Sequence, residues 1–238
     1  MYAVIMAGGK GARLLPHTEL VPKPMLTIGN RPILEILLLQ LRKHNIRDII
    51  LVVGHMAQHI RQKIGDGRQF DLNISYVEES TPLGTCGALA DISDALGSDF
   101  ILANGDLLTD LDISKMVEAH FQRCAEATVG SFCLTERIPY GVLNINPDFS
   151  VRTYDEKPQR TVEVSMGIYV LHTEAIRTFL KKGVPFDMPE LISGMIEAGK
   201  AVFAFNETRF WMDIGTPSDY SRANEYLINN RHFLDEHT

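Results

Sequence analysis

Cysteine is scarce in this chain. The three present, Cys86, Cys124 and Cys133, are odd in number and lack metal-ligand spacing. That argues against a disulfide scaffold and for a reducing compartment. A basic excess is missing too: 23 Lys and Arg face 30 Asp and Glu, for a formal net charge of -7. A chain that grips a nucleic acid backbone carries the opposite balance. Long apolar runs are also lacking. The most apolar stretch, PILEILLLQL, is broken by Glu35 and Gln40, short of the roughly 18 to 20 residues a membrane span needs. MYAVIMAGG has no basic start and only a short apolar run, unlike a secretory signal. Low-complexity linkers, internal repeats and hexapeptide arrays do not occur. The expectation is one cytoplasmic domain over 1–238, with no nucleic-acid and no membrane partner.

What is present is an alternation. With 238 residues, 45% of them hydrophobic, the chain can bury a substantial core. YAVIM (2–6), DIILVV (48–53), NISYVEE (73–79) and DFILANGD (99–106) are short apolar runs that predict strands. Helical spacing predicts helices over 32–45, about 56–65 and 85–96. Such alternation implies an α/β fold, a mostly parallel central sheet between helical layers. The second half predicts strands at 127–134, 162–172 and 201–206, a hairpin over 140–158, and helices over 173–182 and 187–198. Thr216 and Pro217, with Asp219 in the first turn, mark the start of a last helix. Ligands in open parallel sheets bind at the carboxyl ends of strands. Ala7 to Arg13, Glu79 and Asp106 all fall at such ends.

The first strand runs into AGGKGARLLP. Gly8, Gly9 and Gly11 let backbone N–H groups approach an anion without Cβ interference. Lys10 and Arg13 add charge, and an arginine can grip phosphate with two parallel bonds. The turn is neither a P-loop nor a dinucleotide fingerprint: Ala12 follows the last glycine, and Leu14 stands where a third fingerprint glycine belongs. By itself it fits phosphate binding or a plain tight turn equally well. Lys23 lies between Pro22 and Pro24, which stiffen its backbone; it suits a phosphate clamp or a surface loop. His55 and His59, at i and i+4, lack a third ligand and fit a helix face better than a metal pair.

GGKGARLLPHTELVPKP resembles the signature of the sugar-1-phosphate nucleotidyltransferases, G-G-x-G-T-R-L-x-P-x-T-x-x-x-P-K. The resemblance continues in order through PLGTCGAL (82–89), NGD (104–106), YGV (140–142), YDEKP (154–158), SMGIYV (165–170) and WMDIGTP (211–217). It implies a Rossmann-like three-layer α/β/α fold with a smaller β subregion for the sugar; without a hexapeptide array, the left-handed β-helix common in the family is not expected. Residues 1–110 would bind the nucleotide; 111–238 would bind the sugar phosphate and end in a helix. The implied reaction is attack of a sugar 1-phosphate oxygen on the α-phosphate of an NTP, with pyrophosphate leaving. By position, Ala7, Gly8, Gly9 and Gly11 would wrap the triphosphate. Arg13 and Lys23 would act on the phosphates. Asp106 and Asp213 would hold Mg²⁺, each with the alternative of a plain turn residue. Lys157 would meet the sugar phosphate, Glu156 and Ser165 the sugar hydroxyls, and Gly141 and Gly167 would admit the ring. The alternative for Glu156 and Lys157 is an exposed ion pair of little weight. The resemblance leaves room for a homodimer.

Two departures stand out. Ala12 replaces the usual Thr or Ser, removing one hydroxyl from the phosphate grip. Ser165-Met166-Gly167 replaces the common N-A-G. The base is argued from Glu79, near Gly84. A carboxylate only accepts hydrogen bonds, and guanine presents two adjacent donors. That favours GTP, and with it mannose 1-phosphate or a related manno- or heptose 1-phosphate. The alternative is that Glu78 or Glu79 is solvated and the backbone near Gly84 reads the base. Uridylyl-, thymidylyl- or cytidylyltransfer and a non-catalytic nucleotide-sugar-binding relative stay open.

Overall fold

The computed structural model describes residues 1–230 and residue 233. In chain order it runs β1 (Tyr2–Met6), β2 (Thr27–Ile28), β3 (Arg31–Pro32), α1 (Ile33–Lys43), β4 (Asp48–Val53), α2 (Ala57–Ile64), β5 (Asn73–Glu78), α3 (Leu89–Ile92), β6 (Asp99–Asn104) and β7 (Leu107–Thr109). It continues α4 (Ile113–Gln122), β8 (Ala127–Arg137), β9 (Gly141–Ile145), β10 (Val151–Glu156), β11 (Gln159–His172), α5 (Thr173–Arg177), α6 (Met188–Glu197), β12 (Val202–Phe205), β13 (Trp211–Asp213) and α7 (Pro217–Asn229).

The central sheet has seven strands in the order β12-β8-β11-β6-β1-β4-β5. All neighbours pair in parallel except β11, which is antiparallel to both β6 and β8. The apolar runs are continuous because both faces of the sheet are covered, and their residues divide by period two. Ala3, Ile5, Leu51, Ile101 and Ala103 pack on one face, with Leu34, Leu38, Ile60 and Met116 from α1, α2 and α4. Val4, Ile50, Val52, Phe100 and Leu102 pack on the other, with Leu89, Ile176 and Leu191 from α3, α5 and α6. A third cluster joins the outer side of α1 to α7, through Ile33, Ile36, Ala223 and Leu227. The three-layer α/β/α architecture is therefore as expected.

Helix lengths differ from expectation. The helix expected over 85–96 is only α3, Leu89–Ile92, because the polar groups of Thr85 and Cys86 turn to a distant segment. The helix expected over 173–182 stops at Arg177. Pro32 pairs in a short strand and precedes α1 as its cap. Helix α4 was not anticipated, although Asp112 caps it by accepting from Lys115 N at 3.0 Å. Thr216 and Asp219 do form the expected start of α7, as a reciprocal capping box. The hairpin is present as β9 and β10, a two-stranded ribbon outside the central sheet. The three cysteines are free thiols. Among the described residues no helix is long and apolar enough to cross a membrane.

Candidate active site

Strand β1 lies between β4 and β6, where the strand order reverses, and a crevice opens beyond the carboxyl ends at such a point. Here each following loop is tied to a neighbouring strand end. Ala7 N donates to Val52 O (2.8 Å), Gly105 N to Met6 O (2.9 Å), Glu79 N to Val53 O (2.9 Å) and His55 N to Gly8 O (3.2 Å). Ile214 N donates to Asp106 O at 3.1 Å, which brings the chain after β13 to the same edge. The result is a cleft of about 570 Å³, lined by residues 6–13, Lys23, Glu79, Gly84, Asn104, Asp106 and Asp213, among others. Every residue that the sequence proposes for the nucleotide and the metal lies on this lining.

Gly8 and Gly11 are required by close packing, whereas a Cβ on Gly9 would meet nothing within 4 Å. Gly11 has φ +62°, and a Cβ there would stand 2.9 Å from Thr18 Cγ2 and 3.0 Å from Lys23 Cβ. Thr18, almost fully buried, donates its hydroxyl to Gly11 O at 2.8 Å. The turn and the lysine segment therefore hold each other. A Cβ on Gly8 would stand 2.9 Å from Glu79 Oε2 and 3.2 Å from Gly54 N. Glu79 Oε1 accepts from Leu83 N at 3.3 Å. Burial pushes the Glu79 carboxyl above its ordinary range, and the Leu83 bond opposes this.

Charge concentrates at one point of the cleft. The Lys23 ammonium donates to Asp106 Oδ2 and lies 3.9 Å from Asp213 Oδ1. The Arg13 guanidinium reaches the same place: a Cβ on Gly215 would be 3.5 Å from both Arg13 Nη2 and Asp213 Oδ2. The Asp213 carboxyl is pushed up to about 6, first by burial and then by the Asp106 charge, against the pull of Lys23 and Arg13. Two carboxylates thus converge on one cation. Among the described residues no third His, Cys, Asp or Glu joins them. Two hard oxygen donors with room for other ligands suit Mg²⁺, which binds through one or two carboxylates plus phosphates and water.

The residues proposed for the sugar phosphate divide into two groups. Gly167, at φ +74°, lies in the irregular part of β11, and a Cβ there would stand 2.5 Å from Asn104 Nδ2. Gly167 N approaches Ser165 Oγ at 3.4 Å, and that hydroxyl also bonds Tyr169 Oη at 3.0 Å. Trp211 Nε1 donates to Met166 O at 3.0 Å and fixes this stretch from β13. Gly167 therefore packs against Asn104, which lines the cleft, and Ser165 stands behind Gly167; neither is itself part of the lining of this cleft. Gly141, Glu156 and Lys157 do not line it; they sit on the β9–β10 ribbon. Glu156 accepts from Tyr154 Oη (3.0 Å), and its other oxygen lies 3.7 Å from Lys157 Nζ. A Cβ on Gly141 would meet the hydroxyl end of the exposed Tyr154 ring, which would have to swing aside. Lys157 holds φ +47° and donates its N–H to Tyr140 O.

Sequence reasoning passed over Thr18, Asn104, Thr85 and Gly215. All four had a signal, because each lies in a stretch that matches the family: Thr18 in the signature, Thr85 in PLGTCGAL, Asn104 in NGD and Gly215 in WMDIGTP; their contacts are what the sequence did not show.

The nucleotidyl transferase family profile matches residues 2–230. A UTP–glucose-1-phosphate uridylyltransferase of Synechocystis is 32% identical, over 94% of this chain and 62% of its own length. A mannose-1-phosphate guanylyltransferase of Mycobacterium tuberculosis is 28% identical, over 95% and 64%. The crystal structure of HddC from Yersinia pseudotuberculosis complexed with GMP-PN aligns with a TM-score of 0.73 at 28% identity, over 95% of this chain and 99% of that one. The chain spans about three-fifths of the length of the curated relatives it matches.

Proposed function

The chain belongs to the nucleotidyl transferase family, and on that premise we propose that it transfers a nucleotidyl group from an NTP to a sugar 1-phosphate, releasing pyrophosphate. The observation that carries this reading is the cluster of Arg13, Lys23, Asp106 and Asp213 against the glycine turn. Two polyanions must be brought together, so neutralisation and in-line positioning are the main demands. Gly8, Gly9 and Gly11 would present backbone N–H groups to the triphosphate beside Ala7. Arg13 would stabilise charge on the departing pyrophosphate. Lys23, which meets both carboxylates here, would turn to the α-phosphate. Asp106 and Asp213 would hold Mg²⁺, whose chemistry is to neutralise and align phosphate oxygens. A sensor that only bound nucleotide would have no use for two converging carboxylates. Ser165 and Gly167 would take the sugar from beside Asn104. Gly141, Glu156 and Lys157 would reach its hydroxyls and phosphate from the ribbon.

GTP is the proposed donor and a manno-configured sugar 1-phosphate the acceptor. Glu79 offers an acceptor-only group on the cleft wall, Gly84 stands beside it, and the similarity to guanylyltransferases agrees. A uridylyl donor is the second reading, favoured by the 32% identity to the Synechocystis protein. The test is pyrophosphate release, with Mg²⁺, for four NTPs against mannose, glucose and heptose 1-phosphates. Turnover led by GTP and mannose or heptose 1-phosphate is expected. Turnover led by UTP and glucose 1-phosphate would replace the first reading with the second. No turnover with any pair would remove the transferase reading.

A further inference from the structure

Residues 83–87 carry Gly84 to the cleft, and they are bound along their length to residues 184–188. Phe186 N donates to Leu83 O at 2.9 Å, and Cys86 N donates to Phe186 O at 3.0 Å. Asp187 Oδ1 accepts from Thr85 N at 2.8 Å and from Thr85 Oγ1 at 3.0 Å. Thr85 Oγ1 in turn accepts from Met188 N at 2.7 Å.

The last two contacts are an exchange of roles. Asp187 is the N-cap of α6, a place where Asp ordinarily accepts from its own helix. Its side chain makes no such bond. It holds Thr85 instead, and Thr85 caps α6 at Met188. The Thr85 hydroxyl donates its hydrogen bond to Asp187 and accepts from Met188 N, so its donor is committed although Thr85 lines the cleft. Gly84 has φ +76°, and a Cβ there would stand 2.6 Å from Phe186 O and 2.8 Å from Asp187 Oδ1. Glycine at 84 is thus demanded by the 184–188 segment as well as by any ligand. Leu83 N donates to Glu79 Oε1, which continues the chain of contacts to the acidic side chain on the cleft wall.

We propose that Asp187 is a positioning residue for the nucleotide base. It fixes the Gly84–Thr85 backbone and, through Leu83, the orientation of Glu79. This rests on the proposed nucleotide site, not on the identity of the sugar. Asp187 touches no reacting atom, and its effect falls on which base is accepted and how tightly.

The experiment measures equilibrium binding of four NTPs, turnover for the same four, and the melting temperature. It compares wild type, Asp187→Ala, Asp187→Asn and Leu191→Ala. Leu191 is fully buried in α6, so its variant reports general loosening of that helix. Asp187→Ala is expected to weaken binding of the preferred NTP about tenfold, the scale of losing charge-assisted bonds. It should also narrow the preference between bases, with kcat changed much less than KM. Asp187→Asn retains an acceptor oxygen and should recover most of both properties. Leu191→Ala should melt earlier with base preference intact. Unaltered binding and base preference in Asp187→Ala would overturn the proposal, and so would an equal loss of preference in Leu191→Ala. Binding without turnover in wild type removes only the transferase reading. Failure of wild type to bind any of the four NTPs removes both.

Discussion

Gly8 lies directly against the carboxylate of Glu79: a Cβ at position 8 would stand 2.9 Å from Glu79 Oε2. The same Cβ would be 3.2 Å from Gly54 N, which is backbone and cannot swing aside. Gly8→Ala is therefore expected to displace the first turn of the phosphate loop and weaken NTP binding tenfold or more, an order-of-magnitude expectation. Titration with the preferred NTP checks it. Adding Glu79→Ala should not restore the affinity, because the conflict with Gly54 N remains and the proposed base contact is lost with the carboxylate. Wild-type affinity in Gly8→Ala would show that the loop moves freely.

Asp106 and Asp213 meet the same lysine. Asp106→Asn removes one of the two charges with almost no change of shape. Turnover should fall on the order of 100-fold or more, the scale of losing a charge-stabilising group in such a site. The far-UV CD spectrum should stay native. Turnover near that of wild type would refute the metal role.

Glu79→Gln tests the base. The amide supplies one donor and one acceptor where the carboxylate only accepts. The ratio of GTP to UTP or dTTP kcat/KM should fall, by about tenfold for one exchanged hydrogen bond to charge. An unchanged ratio would mean that the base is read elsewhere.

At the opposite end of the sheet Asp99 accepts from two histidines, His172 Nδ1 at 3.0 Å and His120 Nε2 at 3.3 Å. Burial works to raise the Asp99 carboxyl, but the bonds from Ser98, His172 and His120 outweigh it and hold it below its ordinary range. His120 is pushed down, chiefly by burial, with Asp99 opposing. Both folded values lie below the unfolded ones, so the unfolded chain gains protons first as pH falls. Stability is full above the unfolded values. The His120 share is lost as pH drops below roughly 6.5 and the Asp99 share below roughly 3.9, the ordinary values. The melting temperature should decline more gently between pH 7 and 5 in His120→Gln than in wild type. Parallel declines would assign the acid sensitivity to other groups.

The parallel half of the sheet was legible because each strand is an apolar run closed by glycine or an acid, as at Gly8, Glu79 and Asp106. Helix α4 was legible and overlooked: Ile113, Met116 and His120 recur on one face after the Asp112 cap. The shortening of α3 was not legible. The Thr85 and Cys86 groups that would have begun a longer helix bond to Phe186 and Asp187, about 100 residues away. No local pattern announces such a partner. The site divides in the same way. The nucleotide residues share strand ends, which the alternation predicts. Glu156 and Lys157 lie on a separate ribbon, whose placement depends on how far β8 and β11 extend.

Every side chain of β10 is exposed, and all but one of β9. Replacing them touches none of the three apolar clusters, and surface changes of this kind shift stability by less than about 0.5 kcal/mol. On the proposed assignment this ribbon and the residue after it carry part of the acceptor's contacts, through Gly141, Glu156 and Lys157, while the glycine turn is locked to Thr18, Lys23 and Glu79. Inheritance then acts unevenly on the two substrates. Mutations that redirect the chain to another sugar can accumulate without endangering foldability, whereas those that redirect it to another base must first pass through a tightly packed edge. Descendants of one ancestor would be expected to diverge in sugar sooner than in donor.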